Sequence, residues 1–269
     1  MEVEEPHVNH ASRSRLVASL VDQLDHEPFQ PIHRKAPHGP PVQGWRARLE
    51  SYFWPDPTTD YIHTTRLMQP WFTRAGRLSR ILIDGAAWTP DQRSEATELA
   101  WTMLEWGRVT RQRAFSPGTV ERVFRKALGL DVQGPVPMNS GWTKVAALAT
   151  AFREDHPSAS PHVIWDSRVS TAVTTRLERL MLAEGLSQPK RLFPHIGPVP
   201  GRGGTRPRPR NLRWAHAYQR WESQIRGSEL IREVRDELNR RDLAMPHPID
   251  GERTWTVRGV ESVLFMDGY

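Results

Sequence analysis

The sequence predicts a mainly α protein. Apolar residues recur three and four positions apart through most of the chain, the period of a helix face. Helix start signals recur, with Thr89-Pro90 and Ser116-Pro117 each placing a hydroxyl before a proline. Sustained strand alternation is scarce. In such a fold the joints between helices carry the chemistry.

Residues 1–44 read as an N-terminal arm or adaptor packed on a main helical body, 45–269. A short helix is expected over Arg13–Leu24, where Leu16, Val17, Leu20 and Val21 share a face; Pro28–Pro41 is irregular. From Trp45 to Trp88, the spacing of Leu67, Trp71, Leu78, Ile81 and Leu82 suggests two helical segments with Pro70 near their boundary. The cluster Tyr52, Phe53, Trp54 could stack bases, but core packing is the preferred reading. Helices follow from Pro90 and from Pro117, the latter ending near Gly129.

The segment Val132–Phe152 should turn before Trp142 or Thr143 and then form a helix, with Val145, Leu148, Ala149 and Phe152 on one face. His156-Pro157-Ser158 is expected to end it. An extended run, His162–Ser170, leads into another helix with Val173, Leu177, Leu180 and Met181 as a buried stripe. The segment Gly201–Arg210 cannot form a normal helix or central strand. Its Arg202, Arg206, Arg208 and Arg210 fit a DNA-contacting loop and an exposed linker equally. Two further helices are expected, Asn211–Arg226 and Ser228–Arg241, with Ser228 capping the second. The apolar tail, including Val263, Leu264 and Phe265, predicts a packed terminus.

Composition narrows the function. Hydrophobic residues are 38% and charged residues 25% of 269, ordinary for a folded domain. No apolar run is long enough for a membrane span. The opening MEVEEPHVNH is acidic and unlike a secretory signal, so a cytoplasmic setting is expected. The absence of Cys excludes disulfides, thiolate zinc sites and Cys-ligated iron–sulfur clusters. The 11 His show no metal-ligand spacing and no phosphate-binding glycine–lysine loop occurs, so no cofactor or metal is expected. The net charge is +6, and only four of the 37 basic residues are Lys. Arginine suits phosphates and base edges through its planar fork, which points to nucleic acid.

The strongest local signal pairs Asn139-Ser140-Gly141-Trp142-Thr143-Lys144-Val145-Ala146 with Val163-Ile164-Trp165-Asp166-Ser167-Arg168-Val169. Lys144 falls in a first helical turn, where the helix dipole disfavours an ammonium and so favours a nucleophilic amine. Asp166 stands just before a helix, a position whose backbone N–H groups stabilise a carboxylate.

These segments resemble the helix-hairpin-helix DNA glycosylase superfamily, particularly its 8-oxoguanine branch and bacterial proteins with that fold. There a hairpin precedes Lys-Val-Ala, and a short run ends in Asp before a helix. The match is firm over 116–183. The resemblance implies a helix-hairpin-helix glycosylase-like fold and double-stranded DNA carrying a modified or damaged base as partner. Some bacterial relatives are linked to defence against phage, whose genomes often carry modified bases. It implies that Lys144 attacks the sugar C1′ of a flipped nucleotide, or acts as charge partner or DNA anchor to a water-dependent reaction. Asp166 would stabilise the positive charge that develops on the sugar.

Trp142 and Trp165 are candidates for the base pocket or for core packing. Asn139, Ser140, Gly141 and Thr143 are candidate DNA contacts. The sequence departs from the family in having only Gly141 to free the hairpin backbone, a Trp at 142 where a small residue is usual, and Arg168 in place of a His. Arg168 reads equally as a phosphate contact or a surface residue. The competing reading is a non-catalytic DNA-binding protein that reuses the fold.

Overall fold

A computed structural model describes residues 6–109, 115–154, 161–200, 209, 211–248 and 251–268, with side chains from residue 10 onward. Mainly α is the observed class. The described residues form helices α1 (Pro6–His26), α2 (Trp45–Glu50), α3 (Tyr61–Ile83), α4 (Pro90–Trp106) and α5 (Pro117–Leu128). They continue with α6 (Ser140–Thr150), α7 (Ser167–Ala183), α8 (Pro189–Leu192), α9 (Trp221–Arg240) and α10 (Val257–Asp267). Two short antiparallel pairs complete the order: β1 (Ile32–His33) with β2 (Ala36–Pro37), and β3 (Ala244–His247) with β4 (Gly251–Thr254). Among the described residues no helix is long and apolar enough to cross a membrane.

Two hydrophobic clusters organise the chain. One joins α1 and α2 to α7, α9 and α10 through residues such as Leu20, Trp45, Val173, Ile231 and Leu264. The other joins α3, α4, α5 and α6 through Leu78, Met103, Phe124 and Val145. Trp106 packs against both. Helices α5 and α6 pack side by side, joined by residues 129–139.

The expected elements hold where local signals are strong. Thr89 and Gln92 form a reciprocal capping box at the start of α4. Ser116 caps α5, and Gly129 ends it in the left-handed conformation, φ 80°. The tail is a packed helix, with Val260, Val263 and Leu264 buried in α10. The N-terminal segment packs on the body. Helix α1 is longer than expected, and its Leu16, Val17, Leu20, Val21 and Leu24 are buried in the first cluster. The ends 156–158 and the arginines 202, 206, 208 and 210 lie outside the described residues.

Two expected breaks are absent. Pro70 sits inside the continuous helix α3. The carbonyl it leaves unbonded belongs to Arg66, and both residues are exposed, so water can satisfy it. Meanwhile Tyr61, Met68, Leu78 and Leu82 bury the opposite face along the whole length. Likewise α9 runs through Gly227-Ser228, and 211–220 is not helical. Ser228 is therefore no N-cap: its hydroxyl donates to the Gln224 carbonyl at 2.8 Å and accepts from the Val163 amide at 3.1 Å. A Cβ on Gly227 would lie 2.4 Å from the Trp165 indole, so the glycine admits that ring against the helix.

Candidate active site

The run before Asp166 is irregular rather than the expected extended run and joins no sheet: the Trp165 and Asp166 amides turn back to the Val163 and Ile164 carbonyls at 3.1 and 2.9 Å. Its buried backbone groups need other partners, and side chains from two helices supply them. Val163 donates to Ser228 and accepts from Gln224 Nε2 at 2.7 Å, both on α9. The Ile164 amide donates to Glu261 Oε2 on α10 at 2.7 Å. The run is thereby fixed, and Asp166 is delivered to the N-terminus of α7.

Asp166 divides its oxygens between two tasks. Oδ1 accepts from the Arg168 and Val169 amides at 2.9 and 3.3 Å, capping α7. Oδ2 is left to face Lys144 Nζ at 3.4 Å. Lys144 leaves the fifth residue of α6 and curls back along the helix, donating also to the Ser140 carbonyl at 3.1 Å. Both side chains are almost wholly enclosed, with Lys144 5% and Asp166 8% exposed. A cation and a carboxylate held this far from water interact more strongly than a surface pair, and neither is released cheaply.

The pair opens onto a cavity of about 360 Å³ at the seam between the two clusters. That volume lies within the range of about 300–1,000 Å³ that holds small ligands. Its aromatic wall is Tyr52, Trp54, Trp106 and Phe265; Ser140, Arg168 and Glu261 also line it. The preferred core reading of the 52–54 cluster holds for burial, yet Tyr52 and Trp54 also wall the cavity, while Phe53 packs on His33 and His38. The Arg168 guanidinium lies over Trp54 and Phe265, 4.6 and 4.5 Å from the ring centroids. It is half-buried at the wall, rather than an open surface residue.

Several sequence candidates lie elsewhere. Trp165 is 1% exposed, packs against Gly227 and does not line this cavity. Trp142 also stands outside it, tilted against Phe115 at 5.0 Å, which in turn stacks on Trp101 at 4.2 Å. The aromatic lining expected from 142 and 165 comes instead from 54, 106 and 265, which long-range packing brings together. Asn139 spends its Oδ1 capping α6, accepting from the Gly141 and Trp142 amides at 2.8 and 3.1 Å. Helix α6 thus starts at Ser140, ahead of the expected turn. Gly141 is helical, and its missing Cβ makes room for Leu104 at 3.1 Å rather than freeing a hairpin backbone. Thr143 is buried and donates to the Ser140 carbonyl at 2.9 Å.

Two residues were not singled out from sequence. Gly107 follows α4, and a Cβ there would lie 2.3 Å from Lys144 Cε, so the lysine passes directly across it. Glu261 is a second carboxyl in the cavity wall, 5% exposed. Burial pushes its carboxyl up from the usual range and nearby Asp166 adds to that, against the pull of Arg258 and of the Ile164 amide. A signal for Glu261 was present: it interrupts the apolar stripe Val260, Val263, Leu264. No family model matches the chain, and no curated protein or solved structure matches it.

Proposed function

We propose that this chain is a DNA glycosylase of the helix-hairpin-helix type, cleaving the N-glycosidic bond of a flipped modified or damaged base. One observation carries the reading: Lys144 Nζ and Asp166 Oδ2 stand 3.4 Å apart at a cavity walled by aromatic rings. The order of parts supports it as well: α5, a connection, α6 bearing the lysine, then an aspartate at the start of α7.

The chemistry follows from the bond that breaks. As the base leaves with the glycosidic electron pair, the sugar gains positive charge at C1′. Asp166 Oδ2 is a fixed anion suited to stabilise that charge. In one route Lys144 Nζ gives a proton to the departing base and the resulting amine bonds to C1′; the sugar ring then opens to a Schiff base, its ring oxygen taking a second proton from the nitrogen. In the other, water bonds to C1′, Asp166 takes its proton, and Lys144 holds the carboxylate in place. Trp54, Trp106 and Phe265 border the space that an extruded base would enter. The net charge of +6 and the Arg108 and Arg168 side chains in the cavity wall favour a polyanionic substrate.

Asp166→Asn is the decisive variant, because asparagine caps a helix as well as aspartate does. We expect it to stay folded and bind DNA while releasing base about 10²–10³-fold more slowly, the scale of losing one electrostatic stabiliser. Unimpaired release would remove Asp166 from the reaction. Borohydride trapping during turnover divides the routes: a covalent adduct lost in Lys144→Gln assigns the amine as nucleophile, and no adduct assigns water. Tight DNA binding without release of any base, from genomic DNAs carrying different modifications, would establish the non-catalytic reading instead.

A further inference from the structure

Beside the candidate active site stands an element that its chemistry does not use. Strands β1 and β2 form a hairpin whose two-residue turn is Arg34-Lys35. Its root is fixed. Phe29 and Val42 exchange both backbone hydrogen bonds at 2.8 Å, the His38 amide donates to the Pro31 carbonyl at 2.9 Å, and Gln30 Nε2 donates to the Gly39 carbonyl at 3.0 Å. The Phe29 ring is buried in the first hydrophobic cluster. One side of the hairpin rests on the segment that leads to the cavity wall. His33 and His38 pack edge-on against Phe53, with ring centroids 5.6 and 4.8 Å apart, and the next residue, Trp54, lines the cavity. The tip itself is exposed.

The residues at the tip are ill suited to its backbone. Both take positive φ, 49° at Arg34 and 69° at Lys35, as the tight I′ connection of a two-residue hairpin requires. Asparagine and glycine enter that conformation most easily, and a long side chain is strained there. Nothing inside the protein offsets the strain: among the described residues, neither side chain forms an ion pair or a hydrogen bond. The tip instead adds like charge to a basic corner. Arg108 stands close by, its guanidinium 5.4 Å from the Trp54 ring centroid. Partial desolvation, and then the charges of Arg34, His38 and Arg108, hold the His33 imidazole below its usual value. The charge of Arg108 also acts on Asp56, so the unpaired cations of this corner are Arg34 and Lys35.

We infer that the β1–β2 hairpin is a finger that grips the sugar–phosphate backbone of double-stranded DNA beside the cavity, with Arg34 and Lys35 each taking a phosphate. Arginine suits a phosphate through its fork, and lysine as a point charge. The anchored strands hold both charges in one place before DNA arrives, so binding orders little more than two side chains. Strain at the tip and the absence of an internal partner have one explanation: the side chains are retained for what lies outside the protein. The inference rests on DNA being the partner of this chain, but not on the release of a base.

Anisotropy of a fluorescent duplex carrying a tetrahydrofuran abasic site, titrated with the full chain across a range of salt concentrations, tests this. The double variant Arg34→Asn/Lys35→Gly supplies the residues the turn prefers. It should raise the thermal midpoint and yet bind the duplex at least tenfold more weakly at ~0.1 M salt, while the slope of log affinity against log salt becomes shallower by about 1.8, the share of two phosphates. A second variant, Arg34→Gln/Lys35→Gln, keeps long side chains and should bind as weakly without the gain in stability. Wild-type affinity and slope in either folded variant would overturn the finger and leave the glycosylase reading standing. Weaker binding with a lowered midpoint in both variants would assign the two cations to holding the hairpin, and would overturn the finger as well. Absence of duplex binding by the wild-type chain at low salt would overturn both readings. Weakened binding in the variants of a chain that releases no base would uphold the finger and overturn the glycosylase.

Discussion

At the scale of single residues, Lys144 owes its position to a glycine just past the end of another helix. Left-handed backbone after a helix ordinarily falls to glycine. Here that conformation is taken by Arg108, φ 52°, while Gly107 before it has an unstrained φ of −73° that any residue can adopt. The glycine is therefore not needed for its backbone but for its missing side chain, across which Lys144 Cδ and Cε run. Gly107→Ala should displace the amine from Asp166 while keeping α4 intact. A shift of about an ångström at a reacting atom costs on the order of 10²-fold in rate. We expect that loss in base release with little change in thermal unfolding; release at the wild-type rate would show that Lys144 can reach Asp166 by another path. The same comparison separates the two members of the pair. Asp166 is held by backbone amides of its own helix, whereas Lys144 depends on a neighbour remote in sequence.

At the scale of elements, Gly227 shows where a local signal misleads. Gly227-Ser228 reads as the end of one helix and the cap of the next, yet α9 passes through both, because Trp165 needs the glycine's surface and Val163 needs the serine's hydroxyl. Gly227→Ala should improve helix propensity and still destabilise the fold, by about 1–3 kcal/mol, the usual cost of overpacking. A higher urea midpoint for that variant would mean the indole can move aside. Helices α4, α5 and α10 were legible because their signals are local: a hydroxyl and proline at the start, a glycine at the end, an apolar stripe between. Helices α3 and α9 run through the breaks their sequences signal because tertiary contacts outweigh a proline or a glycine on the right face. The site divides the same way. Lys144 and Asp166 were legible because each sits in a local motif. The aromatic wall was so only in part: Tyr52 and Trp54 stand in one local cluster, but Trp106 and Phe265 come from remote segments, and no spacing in the sequence predicts their meeting.

At the scale of the whole molecule, buried polar groups tie the clusters and ends together. Asp267 on α10 accepts from Arg176 on α7 at 2.6 and 2.7 Å and from Arg48 on α2 at 3.1 Å, and Arg176 also reaches Glu27 beyond α1 at 2.8 Å. Asp267→Ala would leave two enclosed guanidinium groups without their shared carboxylate and should cost about 3–5 kcal/mol in urea unfolding; a loss below 1 kcal/mol would show that water replaces it. The seam between the clusters is held by a different kind of group. His162 donates its amide to Thr150 Oγ1 on α6 at 2.7 Å, and its Nδ1 lies 3.1 Å from Ser228 Oγ on α9. Desolvation by burial, aided by the charge on Arg153, lowers the His162 imidazole to about 4. Between pH 6.5, where the unfolded chain takes up the proton, and pH 4, the folded protein keeps this ring neutral. The unfolded state then binds more protons, so stability present above pH 6.5 is lost as pH falls towards 4 and falls no further on this account below it. The loss from this group should be about 2–3 kcal/mol. Urea midpoints at pH 7.5 and 4.5 would read it directly: His162→Gln, which cannot titrate, should be less sensitive to this pH change by that amount. Equal sensitivity in the two proteins would assign acid destabilisation to other groups and leave His162 as packing between α6 and α9.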